Sequence, residues 1–261
     1  LSFADLENKM PLKRNGEVIT MLITVGIPAY NLEGYIGANL QSVMDQTYKN
    51  FEVLVVDDHS TDRTRDVIRK YTDQDSRFRE IDLQRHMGVS VARNKTIDEA
   101  KGEVIVFIDG DDTLEPQYLE VMAKGMAQPG IHLVNVGSHW GFRGYGSSGR
   151  NKFQRISKRE IYDSINSFGG QLGGLVWNKA FSMEVIRDNN LRYDESLNLA
   201  EDLLFTAEYI LATDGFLLYP APLYNKISRA GSTIHTATRQ MRNREYEVRD
   251  HISQMGAAAG I

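Results

Sequence analysis

Hydrophobic and polar positions follow two alternating rhythms along the first half of the chain. The runs LITVGI (22–27), FEVLVV (51–56), REIDL (79–83), EVIVFI (103–108) and IHLVNV (131–136) are short and β-rich. Several are apolar on both faces, as strands inside a parallel sheet must be. Between them the period becomes helical: Ile36, Leu40, Val43, Met44 and Tyr48 in 34–48, then Val67, Ile68 and Tyr71 in 62–71. Residues 89–101 end at Gly102, read as a C′ residue, and 114–127 carries Tyr118, Leu119, Met122 and Met126 on one stripe. Strand–helix–strand units with short links predict right-handed crossovers and an α/β, doubly wound, Rossmann-like sheet over 22–136.

The pattern then changes. GSHWGFRGYGSSGRN (137–151) has five glycines and no hydrophobic period, which predicts a loop, either an acceptor-side lid or a disordered stretch. SKRE (157–160) is a capping box that opens a short helix. LAEDLLFTAEYILAT (199–213) is an amphipathic helix followed by a strand-like FLLY (216–219). From Thr236 onward the chain is charged, with Met241, Val248, Ile252 and Met255 at roughly heptad spacing, a stripe suited to packing on this domain or on a partner. These shifts divide the chain into an N-terminal extension (1–20), a main domain (21–235, with halves 21–136 and 137–235) and a helical tail (236–261). A first residue of Leu1 is expected of a processed or excised chain, and Met21 is an alternative start.

Composition narrows the function classes. With 261 residues, 41% hydrophobic and 25% charged, the chain can bury a sizeable core. A net charge of −5 offers no basic excess for a phosphate backbone, so no nucleic-acid partner is expected. Cysteine is absent, which excludes disulfides and thiolate zinc sites and fits a cytoplasmic location. No apolar run reaches the roughly 18 residues of a membrane span, and no signal peptide is apparent.

In open α/β sheets ligands bind beyond the carboxyl ends of the strands, and acidic residues stand there twice, in DDHSTD (57–62) and DGDD (109–112). If the chain stays extended, Asp109 and Asp111 fall on one side about 6–7 Å apart and could share a hydrated divalent cation. Asp112, with Glu115 and Pro116 following, reads as the N-cap of the next helix; a bare cap and turn would account for the cluster without a metal. Ser60, Thr61 and Asp62 suit helix capping, which leaves Asp57 and Asp58 to accept from a base or ribose. Tyr30 either stacks a base or belongs to the core, and Trp177 either lines a cleft or is core. His86 and His235 are candidate diphosphate or metal contacts, and Lys179 is read as a surface or acceptor-site cation. No G-x-G-x-x-G or P-loop follows the first strand, where GIPAYN stands instead, so a dinucleotide oxidoreductase or NTPase is disfavoured.

TVGIPAYN (24–31), FEVLVVDDHSTDRT (51–64), HMGVSVARN (86–94) and VFIDGDDTLEP (106–116) resemble, in order and spacing, the family 2 inverting glycosyltransferases of GT-A fold. VWNKAF (176–181), NLAEDLLF (198–205) and LYNKISRAGST (223–233) are similar to the second half of bacterial members that build surface polysaccharides or decorate teichoic acids. The resemblance implies a mostly parallel central sheet flanked by helices, and transfer of a sugar from a nucleotide-diphosphate donor, UDP-sugar favoured. The acceptor it implies is a hydroxyl of a glycan, polyol-phosphate or lipid-linked molecule. It places Pro28, Tyr30 and Asp58 around the base, Asp109 on ribose or phosphate, and Arg93 toward the nucleotide or sugar. Asp111 would ligate Mn²⁺ or Mg²⁺, Arg229 and Ser232 would grip the diphosphate, and Asp202 would be the general base with Glu201 as its runner-up. Lying at a helix head, Asp202 is expected to have a lowered pKa; as a bare first-turn acid it would merely suit the helix dipole. Gly26 departs from the bulky apolar residue common in the family's first strand, a matter of packing. An inactive nucleotide-sugar-binding module is the alternative. Peripheral association with the inner membrane face and homo-oligomerisation through the tail are left open.

Overall fold

The structure, a computed structural model, describes residues 21–140, 151–166, 172–229 and 236–261, together with the backbone of 13–14, 17–18 and 143–145. Strands β1 (Lys13–Arg14) and β2 (Glu17–Val18) form a small antiparallel pair of their own. Among the described residues ten further strands make one sheet. Its nucleus is β3 (Ile23–Ala29), β4 (Phe51–Asp57), β5 (Phe78–Asp82) and β6 (Val104–Phe107), all parallel in the order β5-β4-β3-β6. The strand order therefore reverses between β3 and β6, the switch point beyond whose carboxyl ends sheets of this kind form their ligand crevice.

Antiparallel β11 (Lys179–Ser182) joins β6 to β8 (Leu133–Trp140), and β12 (Phe216–Lys226) runs parallel to β8 on its other side. The antiparallel strands β7 (Thr113–Leu114), β9 (Arg143–Tyr145) and β10 (Gln154–Ile156) attach to this half. Helices α1 (Ile36–Met44), α2 (Thr64–Thr72) and α4 (Tyr118–Met126) pack on one face. The other carries α3 (Val89–Glu99), α5 (Lys158–Asp163), α6 (Met183–Asp188), α7 (Glu201–Ala212) and α8 (Arg239–Ala258). Strand alternation divides the two cores: Val104, Val106 and Ile108 serve the first, Ile105 and Phe107 the second. A Cβ on Gly26 would lie 2.5 Å from Thr96 Cγ2, so glycine is what lets α3 seat this close to β3.

Several expectations are corrected. The fourth helix begins at Tyr118 with Gln117 at its N-cap, because Thr113 and Leu114 pair with β12 as β7. Asp112 is consequently no helix cap. Helix α3 ends at Glu99 with extended Ala100 as its cap, so Gly102 is not a C′ residue. Its lack of a side chain serves close packing instead, since a Cβ would meet Thr24 N at 2.7 Å. The stretch expected as a loop from 137 is strand up to Trp140 and again at 143–145, since β8 finds partners in β12 and β9; residues 141–142 and 146–150 lie outside the described ones. The capping box is present, with Ser157 Oγ accepting from Glu160 N and the Glu160 side chain accepting from Ser157 N. Trp177 is core, stacked on Tyr224 with ring centroids 4.5 Å apart. The tail stripe turns inward: Val248 and Ile252 are buried in the second core, and Tyr162 Oη donates to Ile252 O at 2.7 Å. Among the described residues no helix is long and apolar enough to cross a membrane.

Candidate active site

The carboxyl end of β6 delivers the acidic cluster as a tight turn, not as extended chain. Asp112 N donates to Asp109 O at 3.0 Å, which closes residues 109–112 and gathers three carboxylates. One oxygen from each of Asp109, Asp111 and Asp112 lies within 4.8 Å of the others. Gly110 is needed at the bend, because a Cβ there would meet Leu32 Cδ1 at 2.7 Å and Pro28 O at 3.0 Å. That contact also ties the turn to the end of β3, where Pro28 lies.

Three acids so close demand compensation, and each receives a different kind. Asp112 is fully buried; its carboxylate accepts from Tyr224 Oη at 2.6 Å, Lys226 Nζ at 3.0 Å and Ile227 N at 2.7 Å. Burial nevertheless pushes its pKa up to about 7, the Lys226 charge opposing and Asp109 adding to the rise. Asp109 is held down to about 2, because against its burial stand Lys226 at 2.7 Å and Arg93 at 3.2 Å. Asp111 pairs with Arg229, Nε to Oδ2 at 2.6 Å, a partner on the segment that follows β12. Lys226 and Tyr224 were not singled out in the sequence. LYNK looks like an ordinary strand end, and only the pairing of β12 with β7 carries it to the aspartates.

Arg93 connects this turn to the second half of the chain. It is buried on α3, with one terminal nitrogen on Asp109 and the other on Glu201 Oε1 at 2.7 Å. Glu201 and Asp202 open α7 after Ala200, whose φ of 66° is a left-handed conformation that costs a non-glycine residue about 1 kcal/mol or more. The expected lowering of the Asp202 pKa is overturned. Burial, with the neighbouring Glu201 charge, pushes it up to about 7, although Leu203 N donates to its Oδ1 at 2.9 Å. One first-turn amide does not offset desolvation and a like charge one residue away.

The other side of the crevice is built by β4 and the loop before α3. Asp58 is buried; it accepts from Met87 N at 2.6 Å and Gly88 N at 2.7 Å, and its Oδ2 lies 2.8 Å from His86 Nδ1. Tyr30 is not core: it is 39% exposed and stacks on His86, centroids 4.0 Å apart and planes 21° from parallel. His86 thus serves as half of an aromatic platform. Asp57 and Asp62 bind their own loop, at Ser60 and Thr64. Lys179 is neither a surface cation nor open to an acceptor, being completely buried on β11. Ser232 and His235 lie outside the described residues.

The structure therefore brings Pro28, Tyr30, Asp58, Arg93, Asp109, Asp111, Glu201, Asp202 and Arg229 to one end of the sheet, around the strand-order reversal. Solved structures share this architecture. S. aureus TarS 1-349, in complex with UDP-GlcNAc, superimposes with a TM-score of 0.75 at 26% identity, covering 89% of this chain and 65% of that one. The sheet and its flanking helices are those of the GT-A fold. The cholesterol galactosyltransferase of Borreliella burgdorferi is 28% identical over 80% of this chain and 61% of its own length. TuaG of Bacillus subtilis, named for teichuronic acid biosynthesis, is 37% identical over 41% of this chain and 42% of its own. The chain thus spans less than two thirds of the length of each of these relatives. The family model described as "Glycosyl transferase family 2" matches residues 24–187, well over half of the sequence. On that match, with the acidic turn and the α7 carboxylates in one crevice, the chain belongs to glycosyl transferase family 2.

Proposed function

We propose that this chain transfers a sugar, with inversion, from a UDP-sugar to a hydroxyl group of a glycan, polyol-phosphate or lipid-linked acceptor. The observation that carries this reading is the unbroken run of ion pairs from Lys226 through Asp109 and Arg93 to Glu201. It ties the nucleotide end of the crevice to the helix that bears Asp202, so donor and base are held in one frame. The relatives' names and complexes, UDP-GlcNAc in TarS among them, support a nucleotide-sugar donor and a bacterial surface polymer or lipid as acceptor.

The base would lie on the Tyr30–His86 platform, with Asp58 accepting from its edge. The residues present fit a divalent cation: three clustered carboxylates are a hard-oxygen donor set of the kind Mg²⁺ and Mn²⁺ prefer. All three acids have a counterion, but Asp109 and Asp112 share Lys226 on β12, and Asp109 also has the buried Arg93. Asp111 has Arg229 on the segment after β12, so Asp111 would exchange that partner for the metal. When bound, the metal supplies charge neutralisation for the departing diphosphate. Arg229, released from Asp111, would turn to the diphosphate oxygens. Asp202 would take the proton of the acceptor hydroxyl as the anomeric carbon is attacked in a single displacement. A base with a pKa near 7 is matched to that task at neutral pH.

The test is a screen of UDP-, GDP- and dTDP-sugars with Mn²⁺ or chelator. Asp202→Asn is expected to lose about 10²–10⁴-fold in transfer while UDP-sugar binding, read by calorimetry, is unchanged. Asp111→Ala is expected to remove the Mn²⁺ stimulation. Wild-type transfer by Asp202→Asn would show that another group is the base, and full turnover in excess chelator would remove the metal.

A further inference from the structure

Lys179, on β11, is a lysine with no exposed surface. Its Nζ donates to Leu172 O at 3.0 Å, Leu175 O at 2.7 Å and Asn178 Oδ1 at 2.9 Å. Three acceptors around one nitrogen suit three N–H bonds and so favour the ammonium, against the burial that favours the neutral amine. Burying a charge is costly, and what it supplies here is three donors to oxygens that a methionine would leave unsatisfied.

Its three bonds gather the 172–178 turn, and Gly174 at the middle of that turn lies directly on α7. A Cβ on Gly174 would be 2.5 Å from Leu203 Cδ2 and 2.7 Å from Ile165 Cγ2. Leu203 is the residue whose amide binds the Asp202 carboxylate. We propose that Lys179 is a positioning residue for Asp202: its buried ammonium pins the 172–178 turn against the first turn of α7 and sets a positive charge within electrostatic reach of the carboxylate. The inference rests on Asp202 being the base.

Several charged groups act on Asp202: Glu201 on its own helix and Asp109 on the acidic turn oppose its ionisation, Arg93 on α3 favours it, and Tyr193 packs beside them. Lys179 adds a second favourable charge from β11. The coupling is visible from the lysine, whose pKa burial pulls down to about 7 while Asp202 pulls it back up. Because such coupling is reciprocal, removing the ammonium must make Asp202 harder to ionise.

The experiment compares wild type, Lys179→Met and Gly174→Ala. The Asp202 carboxyl is titrated directly by carbon-13 NMR, and kcat and donor KM are measured across pH. In Lys179→Met the Asp202 midpoint is expected to rise by roughly half a pH unit, the acid limb of kcat moving with it in the same direction. A folded Lys179→Met with an unmoved midpoint overturns the proposal. Gly174→Ala keeps the charge and disturbs only the seat, so kcat is expected to fall about 10–100-fold with donor KM unchanged. Unchanged kcat in Gly174→Ala overturns the proposal even where Lys179→Met does not fold. Failure of the base reading looks different: Asp202→Asn would retain transfer, whereas the carboxyl titration does not depend on activity.

Discussion

Replacing Lys226 by methionine keeps the length of the side chain and removes one charge from the centre of the acidic turn. In the wild type Nζ lies 2.7 Å from Asp109 Oδ2 and 3.0 Å from Asp112 Oδ2. At an effective dielectric constant of about 20 each attraction is roughly 6 kcal/mol before desolvation is subtracted. Stranding a buried partner in this way has a net cost of about 3–5 kcal/mol. Asp109 retains Arg93, so Asp112 bears most of that cost, and its escape is to take up a proton.

The sign of the pH dependence follows. Asp112 has a folded pKa of about 7, well above its unfolded value, so wild-type stability falls as pH rises toward 7 and is then level with respect to this group. Without Lys226 the folded pKa moves higher still, and the variant goes on losing about 1.4 kcal/mol per pH unit above 7. The lysine's own pKa is raised, so its contribution in the wild type is constant from pH 6 to pH 8. Urea unfolding at pH 6, 7 and 8, in chelator and without donor, reads both quantities. The expected result is a loss of about 3–5 kcal/mol at pH 7 that widens by about 1 kcal/mol at pH 8. Adding Asp112→Asn to the variant should recover part of the loss. A cost under about 1 kcal/mol, or one that shrinks as pH rises, would refute the reasoning.

The remaining predictions concern the base, the platform and the sheet. As the proposed base, Asp202 would accept a proton only when ionised, so kcat should rise through about pH 7; a rate independent of pH from 5 to 8 contradicts this. Its raised pKa also means that the folded state loses stability as pH rises toward 7, and Asp202→Asn should therefore resist urea better than wild type at pH 8 while losing transfer. Tyr30→Ala removes the exposed stacking face and should weaken UDP binding in calorimetry by about 1–3 kcal/mol; unchanged affinity places the base elsewhere. Gly26→Val would push Thr96 and α3 off the sheet at a cost of about 1–3 kcal/mol, and a neutral urea midpoint would show that α3 shifts freely.

Much of the first half is legible in the sequence alone. The strands β3, β4 and β6 are apolar on both faces and helices α1, α2 and α4 carry stripes that face the core, so local periodicity and burial agree for these elements. The short strands were harder, because β7 in the first half and β9 in the second exist only through their partners. Thr113–Leu114 has good helical neighbours and becomes strand because Tyr224 and Asn225 lie beside it. Lys179 was misplaced for a similar reason: a lysine is read as exposed unless its acceptors are known, and they are backbone carbonyls that carry no sequence mark.

The sequence by itself determined the alternation of elements, the acidic residues at the strand ends and the motifs that relate this chain to its family. These are local properties, carried by side-chain period and by residue type at fixed spacing. Tertiary structure decided what each acid does. In DGDD both Asp109 and Asp112 are desolvated, but Asp109 has Lys226 and Arg93 to hold its pKa down to about 2. Asp112 shares only Lys226 and has the Asp109 charge against it, so burial pushes it up to about 7. In the same way, Asp202 at a helix head became a weak acid through burial beside Glu201. Electrostatic energy depends on distance and solvent exposure, and residues more than a hundred positions apart in the chain set both.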